Sequence, residues 1–404
     1  MIILAGADIV LPGGIVSQGS LAIRDGVIEA VLPSRGGHPT ATVIDWRGHT
    51  IVPGFVDVHL HGIEGTDVLD GPDAVADVAA RLPKYGVTAF CPTSVACTPQ
   101  RLQIFLDATG AAQAAMLPGS ARVLGAHLES NFLNPEWNGA QPKTCLRVPT
   151  SATGLSRRSS PDRSRAEADA FSGEDILRVI ASHRRHVGIV TLAPELPGGI
   201  DLVRNLASHG HRVSIGHSGA TYVEAKAAID AGARHATHLF NRMSSITSRE
   251  PGVVGAVLEA NEVTAEIICD GHHVHPSLIS TAIRAKSPSR MIAITDATAV
   301  AGLPRGSRAQ LGDQTIIAGE RTALLEDGTL AGSILTMDAA FRTLVALGWS
   351  LPEVARMCAT TAAESLGRHD IGSIAPGQLA DLVVLDAGFR VRQTYIGGSP
   401  ALEP

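Results

Sequence analysis

The sequence predicts an α/β chain, a (β/α)8 TIM-like barrel carrying a small β-sandwich built from both chain ends. Three observations point there. From residue 53 onward about eight short apolar runs alternate with helical stretches, the pattern of a parallel sheet with crossover helices. Residues 1–52 and 368–404 read as β structure, and neither end is long enough to bury a core alone. Histidines and carboxylates recur at the ends of the runs, where a closed barrel gathers residues far apart in sequence.

The 404 residues suit a barrel plus a smaller domain, and 45% hydrophobic with 18% charged residues describes a well-packed soluble chain. The net charge of −6 lacks the basic excess that a nucleic-acid or membrane-surface partner requires, so neither is expected. Cys91, Cys97, Cys145, Cys269 and Cys358 are odd in number and form no CxxC pair, which fits reduced thiols in a cytoplasmic enzyme. With no apolar run of about 20 residues, neither a membrane span nor a secretory leader is expected.

In chain order, IILAGADIVL reads as a strand, and Asp25-Gly26 between alternating apolar residues signals a hairpin. The barrel should occupy 53–367, with strands at 55–61, 87–94, 121–129, 187–195, 212–217, 235–240, 264–270 and 291–296. AVADVAARLPKYG, EDILRVIASHRRH and YVEAKAAIDAGA read as intervening helices, with Gly86 and Gly232 as stops. Two stretches break the alternation. A loop at about 142–171 carries Arg157, Arg158, Arg163 and Arg165 among Ser and Pro, and reads as a solvated loop, with a lid as the alternative. Hairpins are expected at about 303–332, followed by helix and then a return to β structure in the tail.

The chemistry starts at Glu129, a carboxylate delivered by an apolar run, where a charge is costly unless paired. His59 and His61 lie two apart on a strand and therefore face one side. His217, His238 and Asp296 close three other runs, so one metal cage could collect side chains spanning more than half the sequence. A hydrogen-bonded imidazole pair with no ion is the alternative for His59 and His61.

PGFVDVH, which opens the barrel, and GQLADLVVLD near the end resemble the amidohydrolase superfamily. HLES, TLAPE, IGHSGAT, ATHLFNRMSSITSREPG, CDGHHV, ITDAT and GTLAGSILTM together resemble the N-acetylglucosamine-6-phosphate deacetylase family over nearly the whole length. That resemblance implies Glu129, His217 and His238 as ligands of a principal divalent metal and Asp296 as catalytic acid/base. It implies a second metal at His59 and His61, bridged by Glu129. Zinc is the first choice, with iron, manganese or cobalt as alternatives.

It also implies His273 as a catalytic or substrate-orienting group, Arg249 as a phosphate ligand, and Ala140, Gln141, Asn241, Arg242, Leu330, Ala331 and Gly332 as substrate contacts. For Arg249 an ion pair with Glu250 or Glu224 is the alternative. The implied reaction removes the acetyl group from an N-acetylated amino-sugar 6-phosphate, in a homodimeric enzyme.

The strand-four end, Ala193-Pro194-Glu195, lacks the bridging lysine of hydantoinase-like relatives, and the His-Glu arrangement of base deaminases is absent after His217. Ser130-Asn131 stands where the family has Gly-Pro, Gln141 where it has histidine, and Arg242 where it has a small residue. These departures leave open a related amino sugar, with or without phosphate.

Overall fold

The computed structural model describes residues 1–33, 41–149 and 171–401. The arginine-rich stretch at 157–165 lies outside the described residues.

Eight parallel strands form the barrel: Phe55–Leu60, Val87–Ser94, Ala126–Glu129, Val187–Leu192, Arg212–Ile215, His235–Ala236, Thr264–Ile268 and Met291–Ile294. They pair in sequence order. The ring closes where Leu60 pairs with Ala297, supported by Asp296 N donating to the His59 carbonyl at 2.9 Å. Almost every strand residue is buried, because side chains fill the interior and helices cover the outside.

Most strands stop earlier than the apolar runs suggest, since their last residues turn into the rim. The sixth ends at Ala236, not 240: His238, Phe240 and Arg242 adopt left-handed backbone at φ 31°, 78° and 50°. The third is interrupted, with Arg122–Val123 pairing separately beside the second strand. Gly125 sits at the break, and a Cβ there would lie 2.7 Å from the Gly188 nitrogen.

Local signals set the helices. Ala74–Arg81 continues as a 3-10 turn to Tyr85 and is stopped by Gly86 at φ 79°. Gly173–Ser182 and Tyr222–Ala231 begin with capping boxes, Ser172 with Asp175 and Thr221 with Glu224. After strand eight, Arg308–Leu311, Gln314–Ala318, Thr322–Leu325 and Leu330–Ser333 make the expected hairpins as one antiparallel sheet. Its last residue, Ser333, pairs with Ala297 and so fixes this insertion against the rim.

Both chain ends enter a separate eight-stranded sheet. Ile2–Leu11 pairs with Thr42–Asp45 along its first half and with Thr50–Pro53 further on, so the sheet divides there. Leu4, Ile9, Leu21, Ile28, Ile51, Leu382 and Val384 form its own apolar cluster. Asp25 and Gly26, both at positive φ, make the hairpin turn whose twist matches the flanking strands. Arg122 on the barrel holds buried Asp381 through two bonds, Nε to Oδ2 at 2.7 Å and a second nitrogen to Oδ1 at 3.1 Å.

Candidate metal centre and catalytic cavity

Three side chains reach the rim on strained backbone. His217, His238 and Asp296 sit at φ 48°, 31° and 51°, a region that costs a non-glycine residue roughly 1–3 kcal/mol and concentrates at functional sites. The turn swings each side chain across the mouth of the barrel. There they meet Glu129 from strand three and His59 and His61 from strand one.

Glu129 Oε1 lies 2.9 Å from both His217 Nε2 and His238 Nε2, which are 3.1 Å from each other. The second carboxylate oxygen lies 3.4 Å from His61 Nε2. His59 and His61 bring their Nε2 atoms within 3.3 Å, and Asp296 Oδ1 is 3.5 Å and 3.3 Å from them respectively. Glu129 thus stands between two three-residue groups, Glu129–His217–His238 and His59–His61–Glu129.

The outward contacts decide what the facing atoms can do. His217 Nδ1 lies 2.8 Å from the Trp137 carbonyl and His61 Nδ1 3.0 Å from the Thr93 carbonyl, and a carbonyl can only accept. His59 Nδ1 faces the Glu266 carboxylate at 2.9 Å. With the proton on Nδ1, each ring turns an Nε2 lone pair toward carboxylate oxygens. Lone pairs facing lone pairs repel unless a cation lies between them, so this donor set fits divalent ions.

Protons are the competing cation. Burial alone lowers both rings, but the Glu266, Asp296 and Glu129 charges outweigh it and raise His59 to about 9. His61 rises to about 10 against the same burial, through hydrogen bonds to Asp296 and Glu129. Glu129 is held well below the usual carboxylate range, its burial overcome by His217 and His238. A bound metal would displace these protons.

A layer beneath escaped the sequence reading. Glu266, wholly buried on strand seven, holds His59 Nδ1 through Oε2 and His235 Nε2 through Oε1, each at 2.9 Å, and accepts from the His238 backbone at 3.2 Å. His127, pushed down to about 3 by burial, bridges the Val58 carbonyl and Thr191 Oγ1. The only sequence signal was a lone acid inside the apolar run TAEII. Glu195 accepts from Asn134, Ser218 Oγ and Gly219 N, fixing the loop that carries His217.

Above the cluster is a cavity of about 90 Å³, lined by His61, Glu129, His217, His238 and Asp296, with Gly139, Ala140, Gln141, Asn241, Arg242, His273, Leu330 and Gly332 around its walls. His273 is fixed by Asp270, Nδ1 to Oδ2 at 2.6 Å; burial lowers the ring, but the Asp270 bond and charge raise it overall. The Gln141 amide is committed inward, donating to Glu129 Oε2 at 2.5 Å and accepting from Ala96 N at 2.8 Å. Ala331 is wholly buried and lies outside the cavity lining, as does exposed Arg249. Glu250 caps the Tyr222 and Gly252 nitrogens and Glu224 its own helix start; neither forms an ion pair with Arg249 among the described residues.

Residues 50–401 match the Amidohydrolase family model. The chain belongs to the amidohydrolase family. Along its length this amidohydrolase is 34% identical to an N-acetylgalactosamine-6-phosphate deacetylase of Escherichia coli O157:H7, over 94% of each chain. It is 34% identical to an N-acetylglucosamine-6-phosphate deacetylase of Bacillus subtilis strain 168, over 97% of this chain and 95% of the relative. Among solved structures it is similar to a mutant N-acetyl-D-glucosamine-6-phosphate deacetylase of Mycobacterium smegmatis in complex with N-acetyl-D-glucosamine-6-phosphate. That likeness has a TM-score of 0.85 at 31% identity, covering 100% of this chain and 99% of the other.

Proposed function

We propose that this amidohydrolase removes the acetyl group from N-acetyl-D-glucosamine 6-phosphate, giving glucosamine 6-phosphate and acetate. The observation that carries the reading is the meeting of Glu129 Oε1 with His217 and His238 Nε2 at 2.9 Å each, beside Asp296 on a cavity wall. The substrate class is taken from the names of relatives that match nearly end to end.

Glu129, His217 and His238 would hold the principal divalent ion and His59 and His61 a second, with Glu129 shared between them. Zinc is the first choice for such imidazole–carboxylate donors, and iron, manganese and cobalt fit the same set. Such an ion, when bound, lowers the pKa of water from 15.7 to about 7 and polarises a carbonyl. Asp296 takes the proton of the attacking water and returns it to the departing nitrogen, so the amine leaves neutral. Asp296 Oδ1, 3.5 Å from His59 Nε2 and 3.3 Å from His61 Nε2, stands beside the atoms that would hold the ions and is placed to act as that base. His273, anchored by Asp270, orients the acetamide or the sugar.

The cavity has room for an acetamido group, with the sugar and its phosphate at the mouth beside Asn241, Leu330 and Gly332. Arg242, exposed there, supplies the guanidinium that Gln141, turned inward to Glu129, does not. Arg249, standing apart from this mouth, would serve the site of a second subunit in a cytoplasmic homodimer.

The galactosamine epimer is the second reading, favoured by the name of the Escherichia coli relative. Turnover of both 6-phosphates and both unphosphorylated sugars separates the cases. A clear preference for N-acetylglucosamine 6-phosphate is expected. Preference for the galacto epimer transfers the assignment, and equal rates with and without phosphate defeat the role given to Arg242 and Arg249.

A further inference from the structure

A second, larger cavity of about 590 Å³ opens at the opposite end of the barrel, where strands three to six begin. Val123 and Gly125 lead into strand three, Val187 starts strand four, Arg212 starts strand five and Arg234 precedes strand six. The volume falls within the range of small-molecule sites, about 300–1,000 Å³.

Its lining carries Arg185, Arg212, Arg234, Arg368 and His211, and no carboxylate. Arg368 is paired with Asp370, which stands outside the lining. The others have no acidic partner among the described residues. Arg212 donates to the Ser365 carbonyl, and Arg234 to the carbonyls of Ile229 at 2.7 Å and Ala233 at 2.8 Å. Half-buried Arg212 is depressed from its ordinary range, by burial first and then by the Arg234 and Arg290 charges. In a chain of net charge −6 this concentration is local.

Like charges brought together in a partly desolvated cavity are costly, and an anion with several acceptor oxygens offsets that cost. Guanidinium forks suit phosphate oxygens, and a hollow of this size admits a whole metabolite rather than a bare ion. We propose that this end of the barrel is a binding site for a phosphorylated small molecule, separate from the catalytic cavity. It lies at the starts of strands three, five and six, whose other ends lead to Glu129, His217 and His238.

Calorimetric titration of the metal-loaded full chain with fructose 1,6-bisphosphate tests this. Arg185→Gln/Arg234→Gln is compared with Arg242→Gln at the catalytic mouth. Binding to the wild type is expected, weakened about tenfold or more, which corresponds to at least about 1.4 kcal/mol, in the double variant, and unchanged in Arg242→Gln. Absence of binding at millimolar concentration, or weakening confined to Arg242→Gln, overturns the proposal. Arg185, exposed and with no side-chain hydrogen bond among the described residues, gives a second variant, Arg185→Glu, should loss of the Arg234 bonds impair folding. An Arg185→Glu chain that binds as tightly as wild type counts against the site.

Discussion

The two ends of the barrel are built from the same strands and have opposite chemistry. At the finishing ends, carboxylate oxygens and imidazole nitrogens converge, the Gln141 amide donating to Glu129 and the Asn241, Arg242 and His273 side chains standing around them on the cavity wall. At the starting ends, guanidinium groups surround a hollow without a carboxylate. A rim of acceptors is stable only around a cation, and a rim of donors favours an anion. The net charge of −6 foretells neither, because it averages over two sites of contrary sign. Backbone differs too: the acceptor rim holds His217, His238 and Asp296 in left-handed conformation, while no lining residue of the donor cavity other than glycine does so.

The sharpest way to break this contrast is to remove the shared acceptor. Glu129→Ala should abolish turnover and bring bound metal, measured by mass spectrometry, to background. Metal content equal to wild type would sink the assignment of that rim. Asp296→Asn comes next, with kcat expected to fall about 10²- to 10⁴-fold while metal content stays unchanged. Undiminished kcat would remove Asp296 from its role. The smallest effect concerns the supporting layer. Glu266→Gln presents an amide to His59 and His235 and should weaken metal affinity about 10- to 100-fold in chelator competition, with kcat largely recovered at saturating metal. Unaltered affinity would make Glu266 a packing element only.

Much of the candidate site is readable because its residues are written at or near the ends of apolar runs. Glu129, His217, His238, Asp296 and the His59–His61 pair each close such a run, and closure of the barrel brought them within hydrogen-bonding distance. Glu266 was not readable in this way, since a single acid in TAEII has no periodic or motif signature and gains meaning only from the imidazoles opposite it. Gln141, a substrate contact by resemblance, does line the cavity, and its amide turns inward to Glu129, a direction set by the loop and not by residue type. The arginines of the far cavity are scattered between 185 and 368, each unremarkable beside its neighbours in sequence.

Composition and pattern by themselves determined the parallel barrel, the sheet shared by the two chain ends, and the kinds of atom available for chemistry, because hydrophobic periodicity and turn residues act locally along the chain. Only the tertiary structure decided which lone pairs face one another, which amide points inward, and where arginines from remote segments gather around one hollow. Those are properties of atoms from remote segments held within a few ångströms, and the electrostatic energy that gives them consequence depends on that separation and on the exclusion of water.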